Sequence, residues 1–187
     1  MLKTKRLVKI LDFDIETRPL SFWYDGKPTA EVTVIASCWA NDIRTMQVGV
    51  LGIDDTVDIL KQFVLRYNEA DIVTGHYIRR FDLPMISGAL MEFGLPKLSP
   101  KLTIDTKMDL IKKGDIPATQ EFLSELLDLP FPKIQMSQVK WRKANRLHVS
   151  GIEDARNRGT GDVLQHMALR NKLSELGLLS SPKVWRP

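Results

Sequence analysis

Apolar and acidic side chains alternate near the start of the chain, in Leu7-Val8-Lys9-Ile10-Leu11-Asp12-Phe13-Asp14-Ile15-Glu16-Thr17. Successive side chains of a strand point to opposite faces, so Leu11, Phe13 and Ile15 share one face and Asp12, Asp14 and Glu16 the other. The pattern predicts a strand from Leu7 to Ile15 with one face for the core. Three carboxylates on one face repel each other. Either that face is solvated at a sheet edge, followed by a turn at Arg18-Pro19, or something positive sits on it. Hard divalent cations prefer oxygen ligands of this kind.

Farther along, Pro19 to Thr29 holds Pro19, Gly26 and Pro28 and reads as a loop. Its cluster Phe22-Trp23-Tyr24 either packs the loop down or stacks on a base. Glu31 to Ala40 and Thr45 to Leu51 read as strands parted by a turn at Asn41-Asp42. Asp54-Asp55-Thr56 opens a helix with Val57, Leu60, Val64 and Tyr67 at helical spacing, and acids in its first turn suit the dipole. A short strand, Asp71 to Gly75, is followed by a helix from Leu83 to Phe93, with Pro84 tolerated in its first turn and Gly94-Leu95-Pro96 stopping it. Leu102 to Asp105 is another short strand. Phe122, Leu123, Leu126 and Leu127 form one apolar helical face, Lys133 to Ser150 reads as irregular, and Val163 to Leu176 reads as a helix. Three strands with short joins make an antiparallel meander, and the βα units that follow extend it into an α/β mixed sheet flanked by helices. That is the strand order of the ribonuclease H-like fold, in which carboxylates meet at the ends of central strands.

At 187 residues the chain predicts a single domain spanning 1–187. No apolar run approaches the length of a membrane span, and the basic start Met1-Leu2-Lys3-Thr4-Lys5-Arg6 leads into a charged strand instead of the apolar segment of a signal peptide. The one cysteine, Cys38, lies in an apolar run and reads as a buried, inert thiol. These features suit a reducing cytoplasm. Charge is uneven: from Phe131 onward eleven Lys and Arg face four Asp and Glu, which is +7, and since the whole chain carries +4, residues 1–130 carry −3. A basic final third points to a polyanionic partner.

Three short segments carry a resemblance. Phe13-Asp14-Ile15-Glu16-Thr17 resembles the first motif of the DEDD superfamily of 3′–5′ exonucleases. Gly75-His76-Tyr77-Ile78-Arg79-Arg80-Phe81-Asp82-Leu83-Pro84 resembles the second, and Gly161-Asp162-Val163 the third. They stand in the family's order across essentially the whole chain. The resemblance implies that Asp14, Glu16, Asp82 and Asp162 are catalytic and hold two metal ions. Phosphodiester hydrolysis gives independent reason for such a set, since two hard cations can help ionise the water, neutralise the phosphoryl oxygens and stabilise the leaving oxygen. Oxygen-only ligation suits Mg²⁺ or Mn²⁺. The implied reaction removes nucleotides from the 3′ end of nucleic acid, single-stranded DNA first and RNA as the alternative. Each member also has a plainer reading: Asp82 is a suitable N-cap for the helix at Leu83, Asp162 a partner for a positive helix start. Asp105 and Asp12 compete for places in the set, and Asp12 has the alternative of pairing with a Lys or Arg.

The sequence departs from the family at two points. Tyr77 stands where an Asn usually follows the His. Arg158 and Asn157 stand where the third motif carries the Tyr, four residues before its Asp, or the His, five before, that handles the water. Arg stays protonated and is no general base. His166 follows Asp162 by one turn, on the same helix face, and is a candidate base. His76 is a second candidate base, and the resemblance implies that it supports the loop geometry; on the substrate side with it, Thr17 and Phe81 flank the ligands, Arg79 and Arg80 precede Asp82, and Trp141 is set among Lys140, Arg142, Lys143 and Arg146. Cations contact phosphates and aromatics stack on unpaired bases. The missing Tyr or His keeps open a catalytically inactive nucleic-acid-binding module on the same fold, and the scaffold also admits a structure-specific endonuclease.

Overall fold

The computed structural model describes residues 7–20, 29–111 and 116–187. The strands are β1 (Ile10–Pro19), β2 (Ala30–Trp39), β3 (Gln47–Val50), β4 (Ile72–Gly75), β5 (Lys101–Asp105) and β6 (Lys183–Trp185). The helices are α1 (Thr56–Glu69), α2 (Asp82–Glu92), α3 (Gln120–Leu126), α4 (Gln138–Asn145) and α5 (Val149–Glu175). One six-stranded sheet runs in the order β3-β2-β1-β4-β5-β6. The pairs β1–β2 and β2–β3 are antiparallel, β1–β4 and β4–β5 parallel, and β5–β6 antiparallel. This is the ribonuclease H-like topology, with β1 in the interior of the sheet. Among the described residues no helix is long and apolar enough to cross a membrane.

The alternation in β1 divides the molecule. Leu11, Phe13 and Ile15 enter the main core with Ile59, Leu60 and Phe63 of α1 and Leu83, Ile86 and Leu90 of α2. The Phe13 and Phe63 ring centroids lie 4.9 Å apart. Each such side chain, fully buried, stabilises the fold by about 1.5–3 kcal/mol. On the other face α5 packs over Val34, Ala36 and Cys38 of β2 through Ile152, Ala155 and Val163, and Cys38 is buried and unpaired. The acidic face of β1 therefore lies beneath α5, not at a solvated edge.

Several boundaries differ from those the sequence predicts. β1 begins at Ile10 and runs through Arg18 to Pro19, where a turn was expected; Leu7 and Val8 are exposed. Lys133 to Ser150, expected to be irregular, contains α4, and α5 starts fourteen residues before the predicted Val163. Glycines at 151, 159 and 161 disguise that start, yet each allows a close approach: a Cβ at Gly151 would lie 2.2 Å from the Ala144 nitrogen, and one at Gly159 3.0 Å from Val34. Asp162 is thus mid-helix, not at a helix start. Of the apolar face read for α3, Leu123 is buried while Phe122 and Leu126 are exposed. β6 was not anticipated. The Phe22-Trp23-Tyr24 cluster and residues 1–6 fall outside the described residues.

Candidate active site

β1 outruns its parallel neighbour. Pairing with β4 covers Ile10 to Asp12, and β4 ends at Gly75, whose missing side chain allows the Phe13 carbonyl to come within 2.7 Å of where a Cβ would stand. Past that point the β1 backbone is free on one side. Asp82, in the first turn of α2, stands at the opening, where the backbone N–H groups of Ile15 and of Asp82 itself draw its carboxyl down. Asp82 does not cap α2; Phe81 is the N-cap residue and makes no side-chain cap bond. Asp14 and Glu16 face α5, and their oxygens lie with one of Asp162 in a group spanning no more than 4.8 Å.

α5 presents a stripe of four residues one turn apart: Arg158, Asp162, His166 and Arg170. One turn climbs ~6 Å, close to the ~6.7 Å between same-face residues of a strand. The two stripes run antiparallel and stay in step. Arg158 pairs with Glu16 (Nε to Oε1, 3.2 Å) and with Asp162 (Nη2 to Oδ2, 2.8 Å), and its Nη1 donates to the Ile134 carbonyl. At the far end of the stripe, Arg170 donates to both oxygens of Asp12, at 2.9 and 3.0 Å. His166 Nδ1 lies 3.0 Å from Asp12 Oδ1, without hydrogen-bond alignment.

The electrostatics separate these carboxylates. Burial pushes Asp14 well above the usual carboxylate range, and Asp82, Asp162 and Glu16 push it further. Burial raises Asp82 to about 7 against the pull of its two backbone N–H bonds, with Asp105 and Glu16 adding to the rise. Glu16 and Asp162 are also raised by burial, in spite of Arg158 beside them; Lys133 also draws both down. Asp12 differs: burial alone would raise it, but His166 and Arg170 outweigh burial and hold it below the ordinary value. Four acids short of positive charge stand next to a fifth that is compensated. Asp12 is thus the Arg-paired alternative raised by the sequence.

The remaining candidates disperse. His166 is 1% exposed and packs against Asp12 rather than lining the open side of the carboxylate group. His76 shares Nδ1 with the Thr106 hydroxyl (3.0 Å), and Nε2 bonds the Ala118 carbonyl (2.9 Å). Burial lowers it to about 3, so the ring is neutral. Asp105 accepts the N–H groups of Tyr77, Arg79, Lys107 and Met108 at 2.9–3.1 Å, which shapes the loop before Asp82 and uses its oxygens. Tyr77 has φ +74°, a left-handed conformation that Asn adopts more readily than Tyr. Arg79 is clamped on Asp109 by two bonds of 2.6 and 3.0 Å, whereas Arg80 is exposed with no ion pair among the described residues. Phe81 is largely exposed beside Asp82, and Thr17 half-buried just past Glu16. Trp141 is half-buried and lines a small cavity together with Val34, Val50 and Ile152. Lys140 pairs with Asp154 at 2.8 Å. Arg142, Lys143 and Arg146 instead border an open depression of about 610 Å³ with Val139 and His148. Lys133 was overlooked in the sequence because nothing local marks it. Arg158 was noted there only as a departure, although its spacing from Asp162 already allowed an i,i+4 pair.

No protein-family model matches the sequence, and no curated protein matches it. Among solved structures the chain is similar to the family B DNA polymerase from the hyperthermophilic archaeon Pyrobaculum calidifontis, with a TM-score of 0.67 at 17% identity. The match covers 90% of this chain and 25% of the polymerase chain. At that identity the likeness is one of fold, and the chain spans about a quarter of the polymerase's length.

Proposed function

We propose that this chain is a metal-dependent 3′–5′ exonuclease of the DEDD type, acting on nucleic acid and on single-stranded DNA first. The observation that carries the reading is the convergence of Asp14, Glu16 and Asp162 oxygens within 4.8 Å at the open end of β1, with Asp82 outside that group but near enough to push Asp14 up, and all four raised by burial. The fold shared with part of a DNA polymerase supports it. The residues fit a divalent ion: the donors are all oxygen, which suits Mg²⁺ or Mn²⁺, and Asp162 Oδ1 is buried without a hydrogen-bond partner. Divalent charge at this position favours ionisation of the attacking water and offsets the charge developing on the phosphate. The resemblance implies two ions over the four carboxylates.

The chain's own groups do the rest. Asp82, in the first turn of α2, keeps its carboxylate near Asp14. Phe81 and Thr17 flank the acids and position the terminal nucleotide. Arg80 is the second-motif arginine left to meet phosphate, since Arg79 is spent on Asp109. Water attack breaks the bond to the 3′ oxygen of the penultimate nucleotide and releases a nucleoside 5′-monophosphate. His166 acts through Asp12 as a positioning residue. Arg158, in place of a Tyr or His, favours a second reading, a binding module without turnover.

A 5′-labelled single strand and a circular one, each incubated with Mg²⁺ or Mn²⁺, separate these readings. The expected result is a 3′-shortening ladder on the linear strand and an intact circle, with the rate in Asp14→Ala reduced at least about 10²-fold. Binding without a ladder would favour the module, and cutting of the circle an endonuclease. His166→Ala lowers the melting temperature while turnover per folded molecule stays within about tenfold; a loss comparable to that of Asp14→Ala would put His166 in the chemistry.

A further inference from the structure

Arg158 is built into the carboxylate group. Its side chain is 12% exposed, and three of its nitrogens each hold a partner: Asp162 Oδ2 at 2.8 Å, Glu16 Oε1 at 3.2 Å and the Ile134 carbonyl. Guanidinium keeps its charge throughout the physiological range and offers five N–H donors in a fixed fork. Two of the three residues whose oxygens converge within 4.8 Å are therefore already bound to a cation supplied by the chain.

The opposite half of the group is left open. Asp14 and Asp82 form no ion pair among the described residues, and Asp162 Oδ1, on a residue 6% exposed, has no partner. A second divalent ion on Glu16 would face Arg158 across that carboxylate, two positive centres within a few ångströms, unless Arg158 left its three partners. One ion on the open half shares only Asp162 with Arg158, through the oxygen that the guanidinium leaves without a partner, and Asp14 and Asp82 carry no ion pair there.

We infer that Arg158 stands in for one of the two cations, so that the site binds a single divalent ion through Asp14, Asp82 and Asp162 while the guanidinium supplies positive charge on the Glu16 side. This rests on the reading of the group as a divalent-metal site. The N–H donors that Glu16, Asp162 and Ile134 leave uncommitted can meet a phosphate oxygen, which guanidinium binds well. The position that holds a Tyr in the family is then an electrostatic one, and the water must be activated without a side-chain base there.

The test is the number of ions. Isothermal titration of Mn²⁺ into the whole chain gives one ion per molecule, and electron paramagnetic resonance shows isolated Mn²⁺ with no spin-coupled pair. In Arg158→Gln the count rises to two, the second ion at least tenfold weaker than the first, with a coupled signal; Arg158→Lys, which keeps the charge, stays at one. Two ions in the wild type, or one in a folded Arg158→Gln, overturns the inference and leaves the metal site standing. No binding in the wild type removes the metal site and the inference together. The wild-type count decides the matter even if Arg158→Gln does not fold.

Discussion

Single residues explain which candidates survive. Alternation in β1 was enough to bring Asp12, Asp14 and Glu16 to one face, and that much was legible in the sequence. It could not tell that Asp12 belongs to Arg170 and His166, because an i,i+4 relation fixes a helix face but not the strand position that the face meets. The near-equal rise of helix turn and strand pair advances His166 one step past Asp14, onto Asp12. His76 was read as a support for its loop, and its neutral ring bonded to Thr106 and Ala118 fits that role. It carries a pH dependence. Its folded value of about 3 lies below the ordinary 6.5, so below pH 6.5 the unfolded chain takes up a proton that the folded chain refuses. Stability is therefore lost as pH falls from about 6.5 toward 3, by up to about 1.4 kcal/mol per pH unit. Urea unfolding between pH 6 and 4 will show a steeper loss in the wild type than in His76→Gln; equal slopes would mean that His76 is not buried neutral.

At the scale of elements, β1 to β5, α1 and α2 were legible because alternation and helical spacing mark them, with a cap as well at α1. Asp55 caps α1 by accepting the Asp58 N–H at 2.8 Å. α5 was half-read because glycine reads as a helix breaker whereas here it makes room for neighbours. Space, not propensity, then decides the effect of substitution. Gly88 in α2 has nothing within 4 Å of an added Cβ, so Gly88→Ala gains about 0.5–1 kcal/mol. Gly151→Ala, against the backbone of Lys143 and Ala144 at 2.2–2.3 Å, costs about 1–3 kcal/mol despite the same gain in propensity. Chemical denaturation of the two variants reads both signs, and a stabilising Gly151→Ala would contradict the tight α4–α5 crossing.

For the whole molecule, the charge division seen in the sequence becomes a surface. Trp141, expected among the cations as a stacking platform, is half-buried at a small cavity between α4 and the sheet, while Arg142, Lys143 and Arg146 stay exposed. Amphipathic spacing cannot say which side of a short helix an isolated Trp takes. If that surface follows a single strand, replacing the three cations with Gln lowers the slope of log affinity against log salt by about 2, measured by anisotropy with a labelled oligonucleotide; an unchanged slope would put the strand elsewhere. The direct measurement of cleavage is release of label from a single strand labelled in its 3′-terminal nucleotide, with Mn²⁺ or with chelator, by the wild type and by Asp162→Asn. A metal-dependent exonuclease gives nucleoside 5′-monophosphate from the wild type with metal, none with chelator, and a rate lower by at least about 10²-fold in the variant; no release with any divalent ion, or release indifferent to chelator and to Asp162, would overturn that function.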